Sequence, residues 1–260
     1  MNTKALISNA RIRQIVSLID LTNLNDECDD KAIEALCTAA FTPAGPVAAV
    51  CVWPAFVASA RTLLGDDSLV KIATVVNFPS GEQTLEHCSA AIEKALSDGA
   101  DEIDYVLPYT TLINGNFKQV SAAVQCARDH VSVNQTLKVI LETGELGSRE
   151  RILAAADIAI SNGADFIKTS TGKVPVNATP EAAMVMLEAI AGSCKDVGFK
   201  AAGGIKTVNE AQAYLQLAEE RLGAHWVDSA HFRFGASSLL QHALVEMKVL
   251  SPSTDNRESY

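Results

Sequence analysis

The 260-residue chain is short of concentrated positive charge: it carries a formal net charge of −10 and has no run of lysine or arginine. Nucleic acid and anionic membrane surfaces both require such a patch, so neither is expected as a partner. The six cysteines, Cys28, Cys37, Cys51, Cys88, Cys126 and Cys194, form no C-x-x-C pair and have no histidine at ligand spacing. Free thiols in a reducing compartment are therefore expected, rather than disulfides or a structural metal. The start, Met1 to Ala5, lacks the apolar run of a signal peptide, and no apolar segment reaches membrane-spanning length. Both absences predict a cytoplasmic protein. A G-x-G-x-x-G loop after the first strand is missing too, which removes the usual mark of a doubly wound nucleotide-binding sheet.

What the chain does have is a succession of short apolar strands separated by helical stretches. The expected strands are Leu18 to Thr22, Val47 to Val52, Lys71 to Val76, Ile103 to Leu107, Leu137 to Leu141, Asp165 to Lys168, Val197 to Ala201 and Phe232 to Phe234. Trp226 to Asp228 competes for the last place. Their nearly continuous apolar character fits a parallel sheet covered on both faces. Between them, Asp29 to Ala40 reads as a helix, and so does Pro54 to Leu64. A further helix is expected to be capped by Ser80 with Gln83 three residues on, to carry the stripe Leu85, Cys88, Ile92 and Leu96, and to stop at Gly99. Eight strands with intervening helices in about 250 residues predict an α/β fold, a single-domain (β/α)8 TIM barrel over residues 1–250. The polar residues 251–260 are expected to form a flexible tail.

An internal repeat indicates where the chemistry lies. Gly99-Ala100-Asp101-Glu102-Ile103-Asp104 and Gly163-Ala164-Asp165-Phe166-Ile167-Lys168 share the form Gly-Ala-Asp-x-Ile-charged, at the fourth and sixth strands. Inward layers of such barrels draw on alternate strands, so Asp104 and Lys168 should face each other, with Ile103 and Ile167 turned outward. Lys200 ends the seventh strand, one strand round. Two ammonium groups roughly 5 Å apart at an effective dielectric near 20 repel by about 3 kcal/mol, or roughly two pKa units. One lysine would then be partly neutral and nucleophilic toward carbonyls, while Asp104 accepts and returns protons. An internal ion-pair network of the same three residues is the plainer alternative. Thr171-Gly172-Lys173, Ala202-Gly203-Gly204-Ile205-Lys206 and Gly235-Ala236-Ser237-Ser238 follow successive strands, and their small residues and lysines suit a phosphate cradle. Lys138 and Glu142 on the fifth strand are expected either to pair inside the barrel or to join the chemistry. Cys51 reads as a packed thiol.

The motifs GADFIKTSTGK at 163–173, Val197-Gly198-Phe199-Lys200, Leu18-Ile19-Asp20-Leu21-Thr22 and Phe234-Gly235-Ala236-Ser237-Ser238 resemble the deoxyribose-phosphate aldolase family from about Leu18 to Leu250. The resemblance implies a class I aldolase without metal or other cofactor. It would cleave 2-deoxy-D-ribose 5-phosphate to D-glyceraldehyde 3-phosphate and acetaldehyde in deoxynucleoside breakdown. It implies Lys168 as the Schiff-base lysine, Lys200 as the neighbour that lowers its pKa, and Asp104 as proton donor and acceptor. By the same resemblance Gly172, Lys173, Gly203, Gly204, Gly235, Ser237 and Ser238 hold phosphate, joined by Thr171 and Lys206, while Asp20 orients the sugar near Cys51. A small-molecule sugar phosphate is thus the expected partner, and a homodimer the expected assembly. The chain departs from relatives in having Ala201 for proline and Lys206 for arginine, which forgoes a two-pronged grip on phosphate. It ends in Tyr260, placed like a terminal tyrosine that reaches the site in some relatives. A Schiff-base aldolase or transaldolase for another sugar phosphate, and a non-catalytic sugar-phosphate binder, are the competing readings.

Overall fold

In the computed structural model, which describes residues 7–248, eight parallel strands close into a barrel. The expected tail, Tyr260 included, lies outside the described residues. The strands are β1 (Ile19–Asn23), β2 (Ala49–Val52), β3 (Lys71–Val76), β4 (Glu102–Val106), β5 (Thr136–Ile140), β6 (Phe166–Lys168), β7 (Gly198–Ala202) and β8 (Phe232–Ala236). Each pairs with its neighbours in chain order, and β8 returns to β1 through Ile19 opposite Phe234. Trp226 falls in a short 3-10 turn, Ala224–Trp226, so the competing assignment for the last strand fails. A minor antiparallel ribbon, Phe41–Thr42 with Gly45–Pro46, precedes β2.

Apolar residues on the outer faces of the strands meet the helices in one core. Ile103, Ile167, Phe199, Phe232 and Phe234 are all completely buried there. The helices start where side chains satisfy their free amides. Asp29 accepts from Ala32 N at 2.8 Å, Thr179 from Ala182 N at 3.1 Å, and Thr207 with Glu210 forms a complete capping box. The helix after β3 runs Leu85–Ser97 and is capped by Thr84, not by Ser80. Asn77 causes the delay: in a left-handed conformation (φ 58°), its Oδ1 takes Gln83 N at 2.7 Å, so the chain crosses a loop before turning helical. Along that helix Cys88 and Ile92 face the core, whereas Leu85 is exposed.

The Gly-Ala-Asp repeat has a structural cause at the N-terminal ends of β4 and β6. Asp101 Oδ2 accepts from Arg61 at 2.6 Å and from the Ile72 amide of β3 at 2.8 Å. Asp165 Oδ2 does the same for Arg128 at 2.8 Å and the Leu137 amide of β5 at 2.7 Å. Gly99 and Gly163 adopt φ of +102° and +87°, and a Cβ on either would meet the arginine stem at 3.0 or 2.9 Å. The two copies therefore set the register of two strand pairs in the same way. The residue three positions later is carried to the same depth at the other end of the barrel.

Candidate active site

Strand alternation turns Glu102 and Asp104 on β4, Lys138 on β5, Lys168 on β6, Lys200 on β7, Arg233 on β8 and Asp20 on β1 into the barrel. All are buried. Asp104 is the hub. Its Oδ2 accepts from Lys168 Nζ at 2.7 Å and from Lys200 Nζ at 2.8 Å, and its Oδ1 from Lys138 Nζ at 2.9 Å. Asp20 takes Lys200 on one oxygen at 2.5 Å and Arg233 on the other at 2.7 Å. Glu102 closes the network below, bound to Lys138 and, at 3.0 Å, to Arg233 Nη2.

Four cations, Lys138, Lys168, Lys200 and Arg233, thus share three carboxylates, Asp20, Glu102 and Asp104. A fourth buried carboxylate, Glu142, acts on Lys168 through space and is not bonded to it. Within the bonded network one positive charge is in excess, where uncompensated charge is expensive. Lys168 is the cation that can give it up. Among the described residues its one ion-pair partner is Asp104, which it shares with two other lysines, whereas Lys200 and Arg233 each hold two carboxylates and Lys138 contacts three. Burial pushes the Lys168 amine below the usual lysine range; Asp104 pulls it back up and Lys200 presses it down again. Lys200 goes the other way: burial disfavours its charge, but Asp104 and Asp20 outweigh that and hold it protonated. Repulsion between the lysines is thus real but secondary to desolvation, because Asp104 stands between them and screens it. Burial also acts against the Asp104 charge, yet Lys138, Lys168 and Lys200 hold its carboxyl well below the usual range.

Of the three lysines Lys168 is the most exposed. Its side chain keeps 4% exposure where those of Lys138 and Lys200 keep none. Above it, Leu24, Cys51, Ala73 and Val75, with Trp53 and Phe78, form a separate apolar cluster inside the barrel mouth. Cys51 is fully buried there, and burial pushes its thiol up, with Asp104 adding to the effect, so it is packed rather than nucleophilic. Asp20 sits beneath Lys200 with both oxygens engaged.

The three small-residue loops follow the adjacent strands β6, β7 and β8. Gly172 (φ +86°) and Gly204 (φ +85°) have open space where a Cβ would stand, and Lys206 is exposed. Gly203 is hemmed in, since a Cβ would come within 2.7 Å of Asn177. Gly235 makes room for Lys200, whose Cε would lie 3.1 Å from an added Cβ. Ser237 is exposed, and Ser238 opens the helix Leu239–Glu246 without capping it through its side chain. Lys173 leans away from the glycines, its Nζ 5.8 Å from the Trp53 ring and 3.5 Å from Asp26. Thr171 is buried and bonded to Glu142 at 2.5 Å. The pairing expected of Lys138 and Glu142 is therefore not formed: Lys138 points down the barrel axis to Glu102, and Glu142 lies beyond the strand end.

Glu102 and Arg233 escaped the sequence reading, although each carried a signal. Glu102 stands two residues before Asp104, hence on the same face of one strand, and Arg233 alternates with two outward phenylalanines. A charged residue in step with a known inward one belongs to the interior.

A closed barrel of eight parallel strands with flanking helices defines a protein of the (β/α)8 class, in which active sites are found at the C-terminal strand ends. The chain belongs to the DeoC/LacD aldolase family, whose model matches residues 14–243, and it is accordingly a lyase. It is 51% identical over 229 residues to a deoxyribose-phosphate aldolase of Agrobacterium fabrum, covering 88% of each chain. An apo-form crystal structure from Toxoplasma gondii ME49, assigned to the same activity, superposes with a TM-score of 0.83 at 26% identity, covering 94% of this chain and 98% of that one. The deoxyribose phosphate aldolase of Aeropyrum pernix, a tetramer, shares the fold with a TM-score of 0.73 at 24% identity over 91% and 92% of the two chains. Among the described residues no helix is long and apolar enough to cross a membrane.

Proposed function

We propose that the chain is a class I aldolase that reversibly cleaves 2-deoxy-D-ribose 5-phosphate to D-glyceraldehyde 3-phosphate and acetaldehyde, through a Schiff base on Lys168. The observation that carries this reading is the sharing of Asp104 by three lysines, of which Lys168 has its pKa lowered while Lys138 and Lys200 have theirs raised. Likeness to the Agrobacterium fabrum aldolase selects the substrate.

The neutral amine attacks the C1 aldehyde of the open-chain sugar, and loss of water with uptake of one proton from solvent, relayed by Asp104, leaves a protonated imine. Removal of the proton from the C3 hydroxyl then breaks the C2–C3 bond. The electron pair passes into the imine as an enamine, and C3 departs as the aldehyde of glyceraldehyde 3-phosphate. Protonation of C2 and hydrolysis release acetaldehyde and restore the lysine. Asp104 hydrogen-bonds both lysines through one oxygen and is held strongly anionic, so it relays protons between them and a water rather than storing one. Lys200, fixed by Asp20, keeps its charge and steadies the anionic side of each step. The rim of Thr171 to Lys173, Gly203, Gly204, Lys206, Gly235, Ser237 and Ser238 receives the phosphate through backbone amides and lysine charge. On this reading the enzyme serves deoxyribonucleoside breakdown, and it works as a homodimer.

Borohydride reduction with acetaldehyde present should leave a stable adduct on Lys168, located by peptide mass mapping. An adduct on another lysine, or none, overturns the mechanism. A panel of aldehyde donors and acceptors separates this substrate from other sugar phosphates.

A further inference from the structure

Glu142 is a fully buried carboxylate that the chemistry above does not use. It follows β5 directly and adopts a left-handed backbone, φ 58° and ψ 60°, a conformation that costs a residue with a side chain about 1–2 kcal/mol. Such a residue persists where its surroundings fix it, and here they do. Among the described residues no cation pairs with it. Its carboxylate instead takes both donors of Thr171, the hydroxyl at 2.5 Å and the amide at 3.3 Å to each oxygen. A carboxylate only accepts, so the Thr171 hydroxyl must donate to it and presents a lone pair elsewhere. That lone pair accepts from the Lys173 amide at 3.0 Å. Glu142, Thr171 and Lys173 therefore form one directed chain of hydrogen bonds around Gly172, whose φ of +86° makes the turn.

We propose that Glu142 is a positioning residue for phosphate selectivity: acting through Thr171, it holds the loop 171–173 in the shape that receives the substrate's phosphate. The inference rests on the aldolase reading above. It is distinct from it, because among the described residues Glu142 makes no hydrogen bond to Lys168, Lys200 or Asp104 and reaches Lys168 through its charge alone.

The test compares kcat/KM for 2-deoxy-D-ribose 5-phosphate with kcat/KM for unphosphorylated 2-deoxy-D-ribose. Glu142→Gln replaces one acceptor with a donor and should lower the ratio of the two by at least about tenfold, with the change in KM for the phosphorylated sugar. Thr171→Val, which alters no charge and decides the matter if the glutamine variant does not fold, should lower it similarly, and Thr171→Ser should restore it. An unchanged ratio in Thr171→Val, whether or not both activities fall, overturns the proposal. Failure of the unaltered enzyme to cleave either sugar overturns the aldolase reading instead.

Discussion

Asp101 and Asp165 begin β4 and β6; Asp104 and Lys168 stand three residues further along the same strands. At the first position each aspartate is partly exposed and binds an arginine and one strand amide, so that every charge has a counter-charge and a backbone partner. At the second, the residues are buried, and within their bonded network the cations outnumber the carboxylates by one. A balanced, hydrated pair contributes to register and has little to react with. In the buried cluster, burial lowers the pKa of one amine, Lys168. The barrel thus separates stability at one end from reactivity at the other, with the same residue types at both.

The largest effect that would break this contrast is at Lys168. Lys168→Met should abolish cleavage, on the order of 10⁴-fold or more in kcat, since no other buried amine is unbalanced. It should leave the melting temperature unchanged or raised, because it removes one of three lysines on Asp104, which keeps Lys138 and Lys200 as partners. A melting temperature that falls by many degrees would mean that Lys168 is an ordinary member of a stabilising network.

Asp104→Asn probes the hub and should cost both properties. Three lysines lose a shared counter-charge, so stability should drop by about 3–5 kcal/mol in denaturant unfolding, and kcat on the order of 10²–10³-fold. The pH profile carries the finer information. Asp104 raises the Lys168 pKa in the folded protein, so its removal lets that pKa fall further. The acid limb of kcat/KM, which reports the neutral amine, should therefore move to lower pH. A shift to higher pH would contradict the charge balance described above.

Asp165→Asn acts at the opposite end and should do the reverse. It weakens the Arg128 pair and the bond to the Leu137 amide, for about 1–2 kcal/mol of stability. Turnover should stay within about twofold. A larger loss of turnover would show that register at the lower end controls Lys168 directly.

Much of this could be read in the chain before the structure, for physical reasons that also mark the limits. Strands announce themselves by apolar runs, and the Gly-Ala-Asp repeat fixed Asp104 and Lys168 at equal depth because period-two alternation needs no tertiary information. Partners across the barrel do need it. Lys138 prefers Glu102 to Glu142 because β5 lies beside β4 in register, with Asp104 opposite Lys138, a fact of closure and not of spacing. The Thr84 cap was hidden for a similar reason: Asn77, seven residues earlier, takes the amide that Ser80 needed. The lowering of the Lys168 pKa by Lys200 could be read from the sequence, but the larger part due to desolvation could not, since it is set by the depth of the finished barrel.

The smallest effect lies on the rim. Lys206 stands where the family resemblance leads one to expect arginine; it is exposed, and its backbone amide is tied to Glu210 at 2.8 Å, so the strand-to-helix turn already presents it. An ammonium offers the phosphate a point charge, while a guanidinium offers two parallel donors. Lys206→Arg should therefore lower KM for 2-deoxy-D-ribose 5-phosphate by a few-fold, with kcat unaltered, because the rim binds the ground and transition states alike. The change should vanish for the unphosphorylated sugar. If KM instead stays constant for both, the phosphate is held by the backbone of Gly203, Gly204 and the helix start at Ser238, and the lysine merely screens the acidic surface around it.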